Sequence, residues 1–198
     1  MQAVQEKTFP TAPKFKIHME DTEAPSKLAR ELIARINASN LRNREIVLLC
    51  IGTDRSTGDA LGPLVGSRLA GTRQQLFTVY GSLDQPVHAS NLREKLAEIE
   101  RCHRNPFIVA VDACLGHLDS VGCVNVGDGS LLPGAGVHKP LPPVGEVHIT
   151  AIVNVGGFLE YLVLQNTRLN LVMQLADLIA DSLLLAAREI APAREEYA

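Results

Sequence analysis

Two short, wholly apolar runs constrain the fold of this 198-residue chain more than any other feature. Ile46–Ile51 ends at Gly52, and Phe107–Val111 ends at Asp112. A strand that is apolar at every position is buried on both faces, as in a parallel sheet that is covered by helices. Because segments with helical spacing alternate with these runs, the pattern predicts a doubly wound parallel α/β sheet with right-handed crossovers.

Apolar spacing marks the other elements of the predicted fold. We expect Ser26 or Thr22 to cap the first helix and Ser90 to cap the third. The strand at 120–126 is expected to form a hairpin or an edge strand, and a long loop follows it. The predicted helices are Leu28–Ile36, Leu61–Leu69, Leu92–Ile99 and Asn170–Arg188, and the further strands are Lys14–His18, Leu76–Tyr80, Ser120–Val126 and Val147–Val153.

The composition is that of one globular domain, with 46% hydrophobic and 21% charged residues. We predict a single α/β domain at residues 23–198, preceded by an extended or flexible lead-in at residues 1–22. The net charge is −3 and no five like charges adjoin, which argues against nucleic acid or an anionic membrane as the main partner. Assembly into a homo-oligomer stays open.

The chain is expected to be cytoplasmic. Its longest uninterrupted apolar runs are far shorter than a membrane span, and residues 1–16 lack the apolar stretch of a signal peptide. The four cysteines show no CxxC spacing, so we expect reduced thiols and no disulfide.

Two carboxylates follow the two clearest strands. In open α/β sheets, ligands bind beyond the carboxyl ends of the strands. The loops at 52–63 and 112–116 must therefore share one rim, which brings Asp59 and Asp112 together if their strands are neighbours. Two such carboxylates could share a proton, a water or a metal. We also expect Gly52, Asp54 and Gly58, in the same loop, to contact a substrate. The two glycines permit close approach of the backbone.

Each carboxylate also has a purely structural interpretation. Asp112 could cap the following turn or accept backbone N–H groups. Asp59 could be a helix N-cap, because Asp is a favoured cap and Pro63 belongs in the first turn of a helix. The capping and site roles of Asp59 are compatible.

Other candidate sites carry weaker signals. The loop at 52–63 is neither a Walker A motif nor a G-x-G-x-x-G motif. Cys114 and His117 could form a thiol nucleophile and its base, although such pairs are more often incidental. His138 and His148 are candidates for the rim of the site.

The first loop and its surroundings carry a family resemblance. Cys50–Val65, with the sequence CIGTDRSTGDALGPLV, and Val109–Ala113 closely resemble YyaC-type sporulation proteins, as do Leu131–Glu146 and Asn154–Leu169. That family is in turn similar to the spore germination protease and, more distantly, to hydrogenase-maturation endopeptidases. The resemblance implies a phosphorylase/hydrolase-like three-layer α/β/α sandwich with a mostly parallel central sheet.

The resemblance also implies roles for the two carboxylates. In the germination protease, aspartates in similar Asp-Ala-Leu-Gly-Pro and strand-end Asp-Ala motifs are regarded as catalytic, and they match Asp59 and Asp112. In the maturation enzymes, acidic residues at these places, with a histidine, coordinate the nickel of the substrate. Here Gly58-Asp59 replaces their tandem acidic signature.

Three functions follow. The first is a sporulation-associated peptidase that cleaves a protein or peptide through an aspartate pair, without a cofactor. The second is a non-catalytic binding protein that retains the cleft. The third is a metal-dependent, maturation-type endopeptidase with nickel or zinc at Asp59, Asp112 and either His148 or His138.

Overall fold

The computed structural model describes residues 15–39, 41, 44–133 and 141–195, with side chains up to residue 191. Its centre is a six-stranded sheet in the order β1-β5-β6-β4-β2-β3. The strands are β1 Phe15–His18, β2 Ile46–Cys50, β3 Phe77–Tyr80, β4 Phe107–Gly116, β5 Cys123–Asp128 and β6 Val147–Val155.

The sheet is mixed but mostly parallel, as predicted. β6, β4, β2 and β3 pair in parallel. β5 runs antiparallel to its two neighbours, β6 and β1. β1 therefore occupies the edge. Of the two alternatives expected for β5, the hairpin is confirmed, since β5 pairs antiparallel with β6, the next strand along the chain, and the edge strand is wrong. The predicted strand near residue 14 is found as β1, so residues 15–18 of the expected lead-in belong to the sheet.

Helices cover both faces of the sheet and form three layers. Buried residues of α1, α2 and α5 join one large apolar cluster with one face of the sheet. Leu92 and Ile99 of α3 pack on the opposite face with Val47 and Leu49 of β2. The helices are α1 Ala24–Ala38, α2 Leu61–Ala70, α3 Leu92–Cys102, α4 Glu160–Gln165 and α5 Leu169–Glu195.

The predicted side-chain caps are wrong. Glu23 precedes α1 and Asn91 precedes α3, and neither makes a side-chain cap hydrogen bond. Pro25 lies in the first turn of α1, where its missing N–H costs nothing, so the helix begins before Ser26. Before α3, the side-chain Oδ1 of Asn91 accepts a hydrogen bond from the His88 backbone N–H at 2.8 Å.

The topology reverses direction at β2. From β2 the chain passes through α2 to β3 on one side, and it then returns through α3 to β4 on the other side. Because α2 and α3 cover opposite faces, the connections diverge and leave a crevice at the carboxyl ends of β2 and β4. Ligands of open α/β sheets bind in such a crevice.

Glycines allow α2 to lie directly on the backbone beside this crevice. A Cβ at Gly66 would stand 2.0 Å from the Gly81 carbonyl oxygen, and a Cβ at Gly81 would stand 1.9 Å from the Cys50 carbonyl oxygen. Gly81 also has a φ of +90°, a backbone conformation that residues with a side chain rarely adopt. These contacts fix the start of the loop that carries Asp59.

The long helix α5 contains a segment, Leu169–Ala191, with the length and composition of a membrane span, which the expectation from uninterrupted runs did not anticipate. Half of its most apolar stretch is buried within the protein, and the helix packs on α1 and α2. Its apolar character therefore agrees with a place in the core.

Candidate active site

A pocket of about 290 Å³ opens at the carboxyl ends of β2 and β4. Ile51 and Leu141, which pack in the smaller apolar cluster, form part of its wall. Both predicted carboxylates, Asp59 and Asp112, line this pocket. The remaining lining residues are Gly52, Thr53, Arg55, His88, Ala89, Ser90 and Pro133.

Asp112 reaches the pocket because β4 extends beyond the end of its neighbour β2. β2 ends at Cys50, opposite Val111, and the Ile51 N–H still donates to the Val111 carbonyl at 2.7 Å. β4 continues to Gly116, paired with β6 on its other side. Asp112 is thus the first residue of β4 beyond the ladder that β4 shares with β2. The prediction from the sequence that the strand ends at Asp112 is wrong, since β4 continues to Gly116.

Asp59 reaches the pocket from a short 3₁₀ turn, Gly58–Ala60, that precedes α2. It makes no side-chain cap hydrogen bond to either helix, so the expected N-cap role is wrong. Its main chain instead closes the loop, since the Thr53 N–H donates to the Asp59 carbonyl at 3.1 Å. The Asp59 carboxyl therefore remains available within the pocket.

Burial raises the pKa of Asp112, and the negative charge of Asp59 raises it further, to about 8. The Ala113 backbone N–H opposes this rise. The side chain is mostly buried but keeps contact with the pocket. Asp112 is therefore a neutral acid at neutral pH, and the negative charge of Asp59 contributes to that state.

Burial also raises the pKa of Asp59, and the Ser56 hydroxyl opposes that rise. Ser56 is only 6% exposed. Among the described residues, its Oγ is the buried side-chain polar atom without a hydrogen-bond partner of normal geometry. The hydroxyl thus lies near enough to favour the charged form of Asp59 but makes no well-formed bond. Asp59 is the member of the pair that ionises first.

His88 lines the same pocket, although the sequence analysis did not select it. Val87 forms a parallel bridge with Ile51, and the Gly52 N–H donates to the Val87 carbonyl at 2.8 Å. His88 thus follows Val87 on one side of Gly52, as Asp112 follows Val111 on the other. The rule that directs attention to strand ends, applied to β3, would have pointed to this loop.

The other predicted site residues are distributed unevenly. Gly52 lies in the pocket wall, where a Cβ would stand 2.0 Å from the Asp59 carbonyl oxygen. Asp54 is exposed and outside the lining. Gly58 is also outside the lining and packs on α4, since its Cβ would stand 2.7 Å from Leu164.

The alternative thiol site is not part of this pocket. Cys114 lies in β4 beyond Asp112, paired with Ile152 of β6, and His117 is exposed. Neither residue contributes to the pocket lining in the described parts of the chain.

The described residues at the pocket do not form a zinc or nickel site. Such ions take at least three protein ligands from His, Cys, Asp or Glu. Within residues 15–39, 41, 44–133 and 141–195, no three of these side chains lie close enough to hold an ion. The Nδ1 of His148 bonds to the Gly129 carbonyl, and His148 is absent from the described lining. His138 lies outside the described residues.

Comparison with known proteins gives a family and two similar proteins. The family model described as "Protein of unknown function (DUF1256)" matches residues 16–182. The "Uncharacterized protein YyaC" of Bacillus subtilis (strain 168) is 52% identical over 183 residues, covering 91% of this chain and 88% of that protein. A [NiFe] hydrogenase maturation protease, HycI, from Thermococcus kodakarensis KOD1 superimposes with a TM-score of 0.43 at 21% identity, covering 70% of this chain and 92% of that chain.

Proposed function

We propose that this chain, which belongs to the DUF1256 family and is a relative of the Bacillus subtilis YyaC protein, is a peptidase that works through the aspartate pair. The observation that carries the proposal is the pocket shared by Asp59 and Asp112, in which Asp112 holds a proton at neutral pH and Asp59 ionises first. Pairs of acids whose environments separate their pKa values commonly divide the roles of acid and base.

The unequal environments assign a role to each acid. Asp59, as the carboxylate, removes a proton from a water molecule whose oxygen attacks the scissile carbonyl carbon. Protonated Asp112 donates a hydrogen bond to the carbonyl oxygen as that oxygen gains negative charge. When the C–N bond breaks, its electron pair stays on nitrogen, which takes the proton from Asp59. The products are a carboxylic acid and an amine, and both aspartates return to their starting states.

The resemblance to YyaC-type sporulation proteins and to the germination protease sets the proposed context. The chain would act in the cytoplasm of the sporulating cell or forespore, on a protein or peptide substrate. The pocket suits a peptide segment better than a polyanion, since two aspartates line it together with apolar groups of Ile51, Ala89 and Leu141.

A second candidate function is non-catalytic binding of a protein partner. The observation that favours it is an exposed apolar surface on and beside α4, where the Phe158 side chain is 86% exposed. Exposed apolar patches often mark protein contacts. α4 contacts the 3₁₀ turn that carries Asp59, so this surface adjoins the pocket. Its members are Phe158, Leu159, Tyr161 and Leu162.

Incubation with a complex peptide library, followed by mass spectrometry, tests the peptidase proposal. Wild type is expected to produce a reproducible set of cleavages. Asp59→Asn and Asp112→Asn are each expected to lose them by at least about 10³-fold, since both acids act in one step. Circular dichroism establishes that the variants are folded. Cleavage by either variant at the wild-type rate would contradict the mechanism, and a wild type that binds peptides without cleaving them would support the binding function.

A further inference from the structure

We propose that His88 is a third catalytic residue of this pocket, with its Nε2–H donating a hydrogen bond to the substrate carbonyl oxygen. The inference rests on the proposed peptidase function. It assigns to the pocket a second donor beside Asp112. It does not require His88 to gain or lose a proton during the reaction.

His88 directly follows Val87, which pairs with Ile51 at the rim of the sheet. Ile51 is held between Val111 of β4 and Val87 by backbone pairing. Val111 lies opposite Cys50 and Val87 lies opposite Ile51, so Asp112 and His88 follow on the two sides of the Ile51–Gly52 segment. Because Gly52 has no side chain, the Asp59 backbone packs against it, with the Asp59 carbonyl oxygen 2.0 Å from the place where a Cβ would stand. Asp112, His88 and Gly52 all line the pocket.

The hydrogen bonds of the His88 imidazole ring determine which ring nitrogen can donate to a ligand. Nδ1 of His88 accepts a hydrogen bond from the Ser90 backbone N–H at 3.3 Å. An acceptor at Nδ1 requires that the neutral ring carry its proton on Nε2. In the described parts of the chain, Nε2 has no hydrogen-bond partner. His88 therefore presents a donor that none of the described residues uses, at a pocket that already holds an acid pair.

The backbone around His88 is held firmly enough for such a role. The His88 N–H donates to the Asn91 side chain at 2.8 Å, and the His88 carbonyl accepts from the N–H groups of Asn91 and Leu92. The Asn91 amide also donates to the Pro86 carbonyl at 3.0 Å. A donor fixed in advance stabilises developing charge without reorganising during the reaction.

Two substitutions separate this role from a structural one. His88→Gln places an amide N–H near the Nε2 position and loses the acceptor near Nδ1. His88→Asn places an amide near the Nδ1 position, where it can keep the Ser90 contact, and loses the donor at Nε2. A catalytic Nε2–H predicts that the Gln variant is more active, whereas a merely structural Nδ1 contact predicts that the Asn variant is more active.

The experiment measures kcat and KM for wild type, His88→Gln, His88→Asn and Asp59→Asn on a peptide that wild type cleaves in the library. We expect His88→Asn to lose about 10²–10³-fold in kcat, with KM changed by less than about threefold. His88→Gln should retain kcat within about tenfold of wild type. Full activity of His88→Asn, or lower activity of His88→Gln than of His88→Asn, would overturn the proposal while the aspartate mechanism stands.

The aspartate control distinguishes the two failures. If wild type cleaves no peptide, or if Asp59→Asn cleaves as fast as wild type, the proposed function itself fails, and the role of His88 fails with it. Amide NMR spectra of the full chain establish that each variant is folded. If one His88 variant does not fold, the other decides, because Gln near wild-type activity supports the role and Asn near wild-type activity refutes it.

Discussion

Asp112 lines the same pocket as Asp59, and its partial burial, together with the negative charge of Asp59, raises the pKa of Asp112 to about 8. The two residues arrive from different elements, a strand and a short 3₁₀ turn, and they meet because β2 and β4 are neighbours whose carboxyl ends form one rim. Carboxyl groups with strongly perturbed pKa values cluster at functional sites.

Replacing Asp112 with Asn is expected to stabilise the folded protein at alkaline pH. The folded chain holds the Asp112 proton up to about pH 8, whereas an unperturbed Asp loses it near 3.8. Between these values the native state binds more protons than the unfolded state, so this group makes the free energy of unfolding fall as pH rises. At pH 9 we expect Asp112→Asn to unfold with a free energy about 1–3 kcal/mol above wild type.

Urea unfolding at pH 9 and pH 4 measures this effect. The difference should shrink at pH 4, where Asp112 is neutral in the native state and only about half ionised in the unfolded state. Asp54→Asn is the matched control, because Asp54 is exposed on the same loop as Asp59. A wild type and an Asp112→Asn variant of equal stability at pH 9 would show that Asp112 is not held as a neutral acid.

Replacing Ser56 with Ala is expected to raise the pKa of Asp59 above its value in wild type. The Ser56 hydroxyl opposes the rise that burial causes, so its removal leaves the burial effect without opposition. The acidic limb of the pH–activity profile, which follows ionisation of Asp59, should move to higher pH. NMR titration of the Asp59 carboxyl carbon is the direct measurement. Ser90→Ala, at an exposed position of the same pocket, should leave it unchanged.

Replacing Gly66 with Ala is expected to destabilise the fold by several kcal/mol. The new Cβ would stand 2.0 Å from the Gly81 carbonyl oxygen, which is backbone and cannot rotate away. Gly71→Ala is the matched control, since its Cβ meets only ordinary contacts at 3.5 Å and its φ is −75°. Thermal unfolding compares the two. Equal melting temperatures for both variants would contradict the close packing of α2.

Replacing Asn91 with Ala is expected to loosen the loop that holds His88. The change removes the acceptor of the His88 N–H and the donor to the Pro86 carbonyl, at a cost of about 1–2 kcal/mol. Hydrogen exchange of the His88 amide should accelerate more than exchange in the central strands. Asn170→Ala, at an exposed position in α5, should change stability by less than about 0.5 kcal/mol. Unchanged protection of the His88 amide would argue against a fixed loop.

The central strands β2 and β4 could be predicted from local sequence. The apolar runs at β2 and β4 are buried throughout or nearly so, and they required no knowledge of the partner strands. The end of β4 was not predictable in the same way. Residues from Asp112 to Gly116 extend because β6 pairs with them, and that register is a tertiary property.

The site was predictable in part for the same reason. Asp59 and Asp112 follow the two strongest strand signals. The rule that ligands of open α/β sheets bind beyond the carboxyl ends of the strands was therefore sufficient to place them together. His88 follows the weaker strand β3 after a long turn, and only the bridge between Ile51 and Val87 brings it to the pocket. His148 was a candidate by residue type alone, and its partner is the Gly129 carbonyl.

The most direct test of the account is NMR titration of the Asp112 carboxyl carbon in wild type and in Asp59→Asn. The account predicts titration near pH 8 in wild type and a lower pKa in Asp59→Asn, because the nearby negative charge is removed while burial remains. Titration of Asp112 near its ordinary value of 3.8, or a pKa that does not respond to Asp59→Asn, would show that the two carboxyl groups do not act as a pair.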